Sequence, residues 1–196
     1  MRRLVLASTS RYRRQLLERL GLPFDVVAPE VDEAPRAGEA PAATALRLAV
    51  AKARAVARDL DHALVIGSDQ VADADGLAIS KPGDHEHAVA QLRRLAGRTI
   101  VFHTAVALVD AASDRCGARL VDVRSTFRAL SAAAIERYLA RERPYDCAGG
   151  VKSEALGIAL FERIESDDPT ALIGLPLIAL TDLLLAEGVD VLGADD

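Results

Sequence analysis

The chain has 196 residues, of which 51% are hydrophobic and 27% are charged, a composition typical of a folded protein and not of a disordered one. Its formal net charge of −5 excludes the strongly basic surface that binds nucleic acid polymers. The sequence has no apolar run long enough to cross a membrane, and Cys116 and Cys147 form no Cys-x-x-Cys pair. We therefore expect a single domain over 1–196, cytoplasmic and with reduced thiols.

Short apolar runs alternate with longer amphipathic segments along the chain. The pattern predicts strands at 3–7, 24–28, 63–68, 99–109, 120–130 and 157–165. It predicts helices at 10–21, 40–60, 85–97, 131–142 and 175–188. This alternation indicates an α/β fold with a mixed, largely parallel twisted sheet flanked by helices, and with some antiparallel pairing around 99–130.

The segment "STSRYRR" follows the first strand and places two serines before a helix that begins with arginines. A helix N-terminus presents free N–H groups and a partial positive charge, which favour phosphate. Ser8 and Ser10 can donate from the loop, and an arginine can form a bidentate pair with phosphate oxygens. Serine is also an ordinary helix cap and arginine an ordinary exposed helix residue, so this segment alone leaves both interpretations open.

Carboxylates follow two further predicted strands. Glu30, Asp32 and Glu33 lie in the loop after the second strand, and Asp69 with Gln70 directly follows the apolar run "ALVIGS". Clustered acids can bind a hard divalent cation, although solvated loop charge is the commoner explanation. Because ligands of open α/β sheets gather at the carboxyl ends of strands, we expect these side chains to share one site.

Lysine is rare in this chain, since only Lys52, Lys81 and Lys152 are lysines among 24 basic residues. A chain that uses arginine almost everywhere is expected to keep lysine where a compact ammonium is needed. The sequence has neither a P-loop nor a Gly-x-Gly-x-x-Gly segment, so neither a P-loop NTPase nor a dinucleotide enzyme is supported. Serines, arginines, lysines and carboxylates on loops of one sheet together indicate a site for a metal-bound polyphosphate.

The motifs of the chain resemble those of the Maf family of nucleoside triphosphate pyrophosphatases. The segments that carry the resemblance are "LASTSRYRRQLL", "EVDE", "AKA", "IGSDQV", "KPG", "DCAGGVKSEALGIALFERIE" and "DPTALIGLPLIAL". The resemblance covers nearly the whole chain. It implies a fold like that of Maf and inosine triphosphatase proteins, with the active site in a cleft between two lobes. It also implies a cytoplasmic hydrolase, a homodimer, that splits a small nucleoside triphosphate between its α and β phosphates with Mg²⁺ or Mn²⁺.

The resemblance implies a role for each motif residue. Asp69 is the proton acceptor, and Glu33 and Lys81 are further catalytic residues. Glu33 and Asp69 are also the metal ligands, and Glu33 can contact the attacking water. Four residues match positions that hold the triphosphate: Ser8, Arg13, Lys52 and Lys81.

Three specificity positions of the family fall on Tyr12, Gln70 and Glu154, and this combination is similar to the branch associated with 7-methyl-GTP. An aromatic ring stacks well on the cationic 7-methylguanine, and a carboxylate accepts hydrogen bonds from its donor edge. Arg11 stands where the family usually has proline, and Tyr12 stands where this branch more often has tryptophan.

Our leading hypothesis is therefore a 7-methyl-GTP pyrophosphatase. A second hypothesis keeps the reaction but broadens the substrate to other canonical or modified nucleotides. A third is a nucleotide-binding regulator of growth or septum formation with little turnover. Pyrophosphate release from a panel of nucleotides separates the three.

Overall fold

The described residues, 2–193 in a computed structural model, form a seven-stranded sheet with helices on both faces. The strands are β1 (Arg3–Ala7), β2 (Asp25–Val27), β3 (Ala63–Ala74), β4 (Leu77–Ile79), β5 (Thr99–Asp110), β6 (Cys116–Phe127) and β7 (Phe161–Glu165). The helices are α1 (Arg11–Glu18), α2 (Pro41–Ala57), α3 (His85–Leu95), α4 (Ala132–Glu142) and α5 (Leu177–Ala186). The strand order is β2-β1-β3-β5-β6-β7, and β4 pairs with the end of β3.

The sheet is mixed, so the predicted α/β class is confirmed. Parallel pairing is confined to β1 with its neighbours β2 and β3, whereas the other four pairings are antiparallel. The parallel part is smaller than predicted because short turns at 75–76 and 111–115 return the chain directly as hairpins. In the first of these turns Asp75 and Gly76 both have positive φ, as a tight hairpin turn requires.

Strand β3 is longer than the sequence predicted. Instead of ending at Ser68 it continues to Ala74, so Asp69 and Gln70 lie within a strand and not at its end. The strand continues because its antiparallel pairing with β5 extends beyond the point where β1 stops. On the other edge of β3, the pairing with β1 ends at Gly67 and the pairing with β4 begins only at Ala72. Among the described residues no strand covers 68–71 on that side, which leaves a gap beside Asp69 and Gln70.

Helix α2 packs very closely on β3. An ideal Cβ built on Gly67 would lie 2.1 Å from the carbonyl oxygen of Ala49, so only glycine fits at this point of the strand. The small side chains of Ala49 and Ala53 complete the contact. Lys52 lies on the same face of α2, and Asp69 lies two residues beyond Gly67 on the same face of β3. The close approach therefore brings the lysine to the aspartate.

The buried side chains divide between two lobes. One lobe packs α1, α2 and α5 against the β1–β3 part of the sheet, and the other packs α3 and α4 against β6 and β7. The segment predicted as a strand at 157–165 begins as a 3₁₀ turn, Leu156–Leu160, and only then becomes β7. Within residues 2–193, none of the helices combines the length and the apolar character that a membrane span requires.

Candidate active site

A cleft of about 820 Å³ lies at the gap in the edge of β3, between the two lobes. Eight of the nine residues predicted from the sequence line it: Ser8, Tyr12, Arg13, Glu33, Lys52, Asp69, Gln70 and Lys81. They come from five parts of the chain, which meet here because β1 ends, β4 has not yet begun, and α1 and α2 start nearby. The structure thus brings together most of the predicted site.

The centre of the cleft is an ammonium between two carboxylates. Nζ of Lys52 lies 2.7 Å from Oδ1 of Asp69 and 2.9 Å from Oε1 of Glu33. Lys52 is 4% exposed and Asp69 is 6% exposed, whereas the side chain of Glu33 is 58% exposed. A buried lysine needs such partners, because burying an unpaired charge is very unfavourable. The two carboxylates therefore converge on one point at the floor of the cleft.

The start of α1 forms one wall. Ser10 is the N-cap and its hydroxyl accepts from the backbone N–H of Arg13, while the hydroxyl of Ser8 accepts from the N–H of Ser10. Nε of Arg13 donates to the carbonyl of Gly174 at 2.9 Å. Burial lowers the pKa of Arg13, and the nearby Asp69 and Glu33 oppose this effect. A partly desolvated guanidinium beside a helix N-terminus favours the binding of an anion.

Asp69 and Gln70 are neighbours in the chain but lie on opposite faces of the sheet, because successive side chains of a strand alternate. Asp69 contacts Lys52 of α2 on one face. On the other face, Nε2 of Gln70 donates toward the carbonyls of Ala171 and Leu172. Both residues line the cleft, since the gap in the strand edge opens it to both faces. The cleft therefore has a carboxylate side and an amide side.

Tyr12 provides an aromatic surface in the lining of the cleft. Nη2 of Arg11 donates to its hydroxyl at 2.7 Å, and the Arg11 guanidinium lies 4.8 Å from the ring centroid. Burial raises the pKa of Tyr12, so the phenol is neutral at physiological pH. Arg11 thus contacts both the ring and the hydroxyl of Tyr12.

Glu154 is not brought to the cleft. It is exposed and lines a separate cavity of about 290 Å³ together with Leu172 and Ile173. Leu172, whose carbonyl accepts from Gln70, thus also lines the cavity of Glu154. Lys152 is also elsewhere, since its Nζ donates to the carbonyl of Glu142 at the end of α4.

The sequence analysis missed the turn at 171–174 as a part of the site. Its carbonyls accept hydrogen bonds from Arg13 and Gln70, and its N-terminal anchor is the buried Asp168. Asp168 accepts from the hydroxyl of Thr170 and from the N–H of Ile178, which joins the turn to the start of α5. The signal was present in the segment "DPTALIGLPL", which belonged to the resemblance but received no role.

The fold and the cleft define an α/β protein in which a helix N-terminus, two carboxylates and an ammonium line one cleft. The profile of the Maf-like protein family matches residues 3–187, and the chain belongs to this family. It is 61% identical over 188 residues to a protein of Polaromonas sp. (strain JS666) named 7-methyl-GTP pyrophosphatase, covering 96% of this chain and 86% of that relative. It is 60% identical over 189 residues to a protein of Thiobacillus denitrificans with the same name, covering 96% of this chain and 94% of that relative.

Proposed function

We propose that this protein hydrolyses 7-methyl-GTP to 7-methyl-GMP and diphosphate. The observation that carries the chemistry is the convergence of Asp69 and Glu33 on Nζ of Lys52, at 2.7 and 2.9 Å, on the floor of a cleft. The support for the substrate is the name of the relatives that are about 60% identical over nearly the whole chain.

The two carboxylates fit a divalent cation. Both already face one cationic atom, and carboxylate oxygens are the ligands that Mg²⁺ and Mn²⁺ prefer. In the described part of the chain no group of three or more His, Cys, Asp or Glu side chains is placed to hold a metal. Asp69 and Glu33 would thus be its protein ligands, as Mg²⁺ sites commonly use one or two carboxylates plus substrate phosphates. When bound, the cation would neutralise charge on the phosphates.

Asp69 acts as the proton acceptor in this proposal. A water oxygen attacks the α-phosphorus, its proton passes to a carboxylate oxygen of Asp69, and the bond from the α-phosphorus to the bridging oxygen breaks to release diphosphate. The second water proton remains on the 7-methyl-GMP phosphate until it exchanges with solvent. Lys52 holds Asp69 in place with its 2.7 Å contact and adds positive charge beside the phosphates.

The remaining cationic and hydroxyl groups hold the triphosphate. Arg13 and Ser8 lie at the start of α1, where free N–H groups also face the cleft. Lys81 is exposed at the opposite lobe and is held in an extended conformation by the buried Pro82 that follows it. Charges on two lobes suit a ligand that spans the gap between them.

In this proposal, Tyr12 and the amide side of the cleft bind the base. Tyr12 offers a neutral ring on which a cationic 7-methylguanine can stack, and Gln70 offers a side-chain amide to its edge. Glu154 stays a prediction that depends on the resemblance, because its side chain lines the neighbouring cavity. The homodimer and the cytoplasmic location also remain predictions, and gel filtration with light scattering tests the first.

The experiment that tests the function is diphosphate release with Mg²⁺ or Mn²⁺ from 7-methyl-GTP, GTP, dTTP, UTP and CTP. A clear preference for 7-methyl-GTP supports the proposal. Equal rates on all five would favour the broader nucleotide pyrophosphatase. Binding of nucleotides without diphosphate release would favour the regulator.

A further inference from the structure

We infer that the turn at 171–174 and Thr104 fix the side-chain amide of Gln70 with Nε2 turned inward, so that Oε1 is presented to the cleft as a hydrogen-bond acceptor for the base. Thr104 is then a positioning residue for base selection, acting through Gln70. The inference rests on the proposed function for the site, but it concerns binding and can be tested without turnover.

Three acceptors surround Nε2 of Gln70. The hydroxyl of Thr104 lies at 2.9 Å, and the carbonyl oxygens of Ala171 and Leu172 both lie at 3.0 Å. Thr104 is fully buried and lies directly opposite Gln70 in the pairing of β3 with β5. The amide nitrogen, with two hydrogens, is therefore well satisfied on the inner side.

The opposite orientation of the amide is excluded by the same contacts. A carbonyl oxygen only accepts, so Oε1 could form no hydrogen bond with Ala171 or Leu172. The Thr104 hydroxyl has one hydrogen, which it donates to the carbonyl of Ala171 at 2.9 Å. Its oxygen is thus left as an acceptor. A flipped amide would place Oε1 against three acceptors, and each unmade hydrogen bond at a buried site is costly.

The amide atom of Gln70 that points away from the turn is therefore the oxygen, Oε1. Oε1 of Gln70 has no hydrogen-bond donor among residues 2–193, and it is not among the buried atoms that lack a partner, so it is open to the cleft that Gln70 lines. A fixed acceptor favours a base edge that carries donors. Guanine offers N1–H and a 2-amino group side by side, whereas adenine offers one amino group beside an acceptor nitrogen. The orientation therefore favours guanine, which can offer two donors to Oε1, over adenine, which can offer one.

The same turn also holds the phosphate side of the site. The carbonyl of Gly174 accepts from Nε of Arg13 and from the hydroxyl of the fully buried Ser68, both at 2.9 Å. One short segment thus orients both the guanidinium and the amide. This gives the "DPTALIG" segment a function that its sequence alone did not reveal.

The test measures binding of the α,β-methylene analogues of GTP and ATP, which cannot be cleaved at the α–β bridge. We expect the wild-type protein to prefer the guanine analogue by about tenfold or more. Gln70→Leu keeps the approximate size of the side chain but removes the outer acceptor, so the preference should fall at least about fivefold.

Two substitutions of Thr104 serve as a matched pair of test and control. Thr104→Val keeps the shape but removes the hydroxyl, and we expect the guanine preference to fall about two- to fivefold. Thr104→Ser should restore it. Full preference in Gln70→Leu, or equal preference in the valine and serine variants, would overturn the inference.

Turnover of 7-methyl-GTP, measured in parallel, separates the two proposals. A guanine preference in binding without diphosphate release would contradict the proposed function and leave the assignment of Gln70 standing. Diphosphate release with equal binding of the two analogues would overturn the assignment and leave the function standing. Failure of the wild-type protein to bind either analogue would overturn the assignment of Gln70, and it would overturn the proposed function as well only if 7-methyl-GTP also released no diphosphate.

Discussion

Replacement of Asp69 by asparagine tests the centre of the proposed chemistry, because it removes the charge and keeps the shape. Asparagine cannot accept the water proton, so we expect turnover of 7-methyl-GTP to fall by about 10²–10⁴-fold. The substrate KM should change much less, since Ser8, Arg13 and Lys81 still hold the phosphates. Initial rates of diphosphate release over a range of substrate concentrations separate the two effects.

We also expect Asp69→Asn to lower the free energy of unfolding. Removing one partner of a fully buried ion pair typically costs about 3–5 kcal/mol. Here Lys52 keeps Glu33 at 2.9 Å, so the ammonium is not left alone. We therefore expect a loss of about 1–3 kcal/mol in the free energy of unfolding. For a chain of this length that corresponds to a fall in Tm of about 2–4 °C per kcal/mol.

Asp73→Asn is the matched control. Asp73 lies on the same face of the same strand, contacts His103 at 3.2 Å and does not line the cleft. Its asparagine variant should keep wild-type turnover. Undiminished turnover in a folded Asp69→Asn protein would refute the proton-acceptor role. An equal loss in both variants would show that the effect comes from general disturbance of β3.

Three further predictions concern other parts of the molecule. From the resemblance, Glu154→Gln should lower kcat/KM for 7-methyl-GTP more than for GTP, and an equal loss on both would remove Glu154 from base selection. Burial raises the pKa of Cys147 to about 12, so in a Cys116→Ser protein iodoacetamide should modify Cys147 at least about a hundredfold more slowly than a free cysteine at about pH 8. Labelling at the rate of a free thiol would contradict this. Hydrogen bonds from Arg47 hold the pKa of Glu39 at about 2, so its stabilising effect is present above its ordinary pKa and lost as pH falls through about 2. Glu39→Gln should therefore lower Tm near neutral pH, and in thermal melts the difference from wild type should vanish toward about pH 2.

Much of the fold follows from local patterns in the sequence. The first strand was predicted at 3–7 and is found at Arg3–Ala7, because an apolar run ends where a serine loop and a capped helix begin. The length of β3 could not be predicted in this way. Its second half contains Asp69, Gln70 and Asp73, polar residues that read as a loop until the pairing with β5 is known. Tertiary hydrogen bonding, and not local propensity, sets the end of this strand.

In the candidate site, too, local sequence patterns predicted some features and tertiary contacts determined the others. The sequence identified the residues that carry charge, and eight of the nine predicted side chains line one cleft. It could not place Glu154 in a separate cavity with Leu172 and Ile173, because that placement depends on how the 3₁₀ segment Ala171–Ile173 packs against β6. Nor could the sequence identify Thr104, which lies opposite Gln70 on the neighbouring strand β5 and accepts a hydrogen bond from it. The sequence thus revealed which residue types could carry the chemistry. It did not reveal the contacts between distant segments that place them.

The adjacent residues Asp69 and Gln70 explain why chemistry and selection can share one strand. Strand alternation directs Asp69 to Lys52 of α2 and Gln70 to the turn at 171–174. In a fully paired strand these two faces would be separated by neighbouring strands. Because β1 stops at Ala7 and β4 starts late, the backbone at 68–71 is left open on one side, and a single ligand can reach both faces. The gap in the sheet is therefore the feature that joins the two halves of the site.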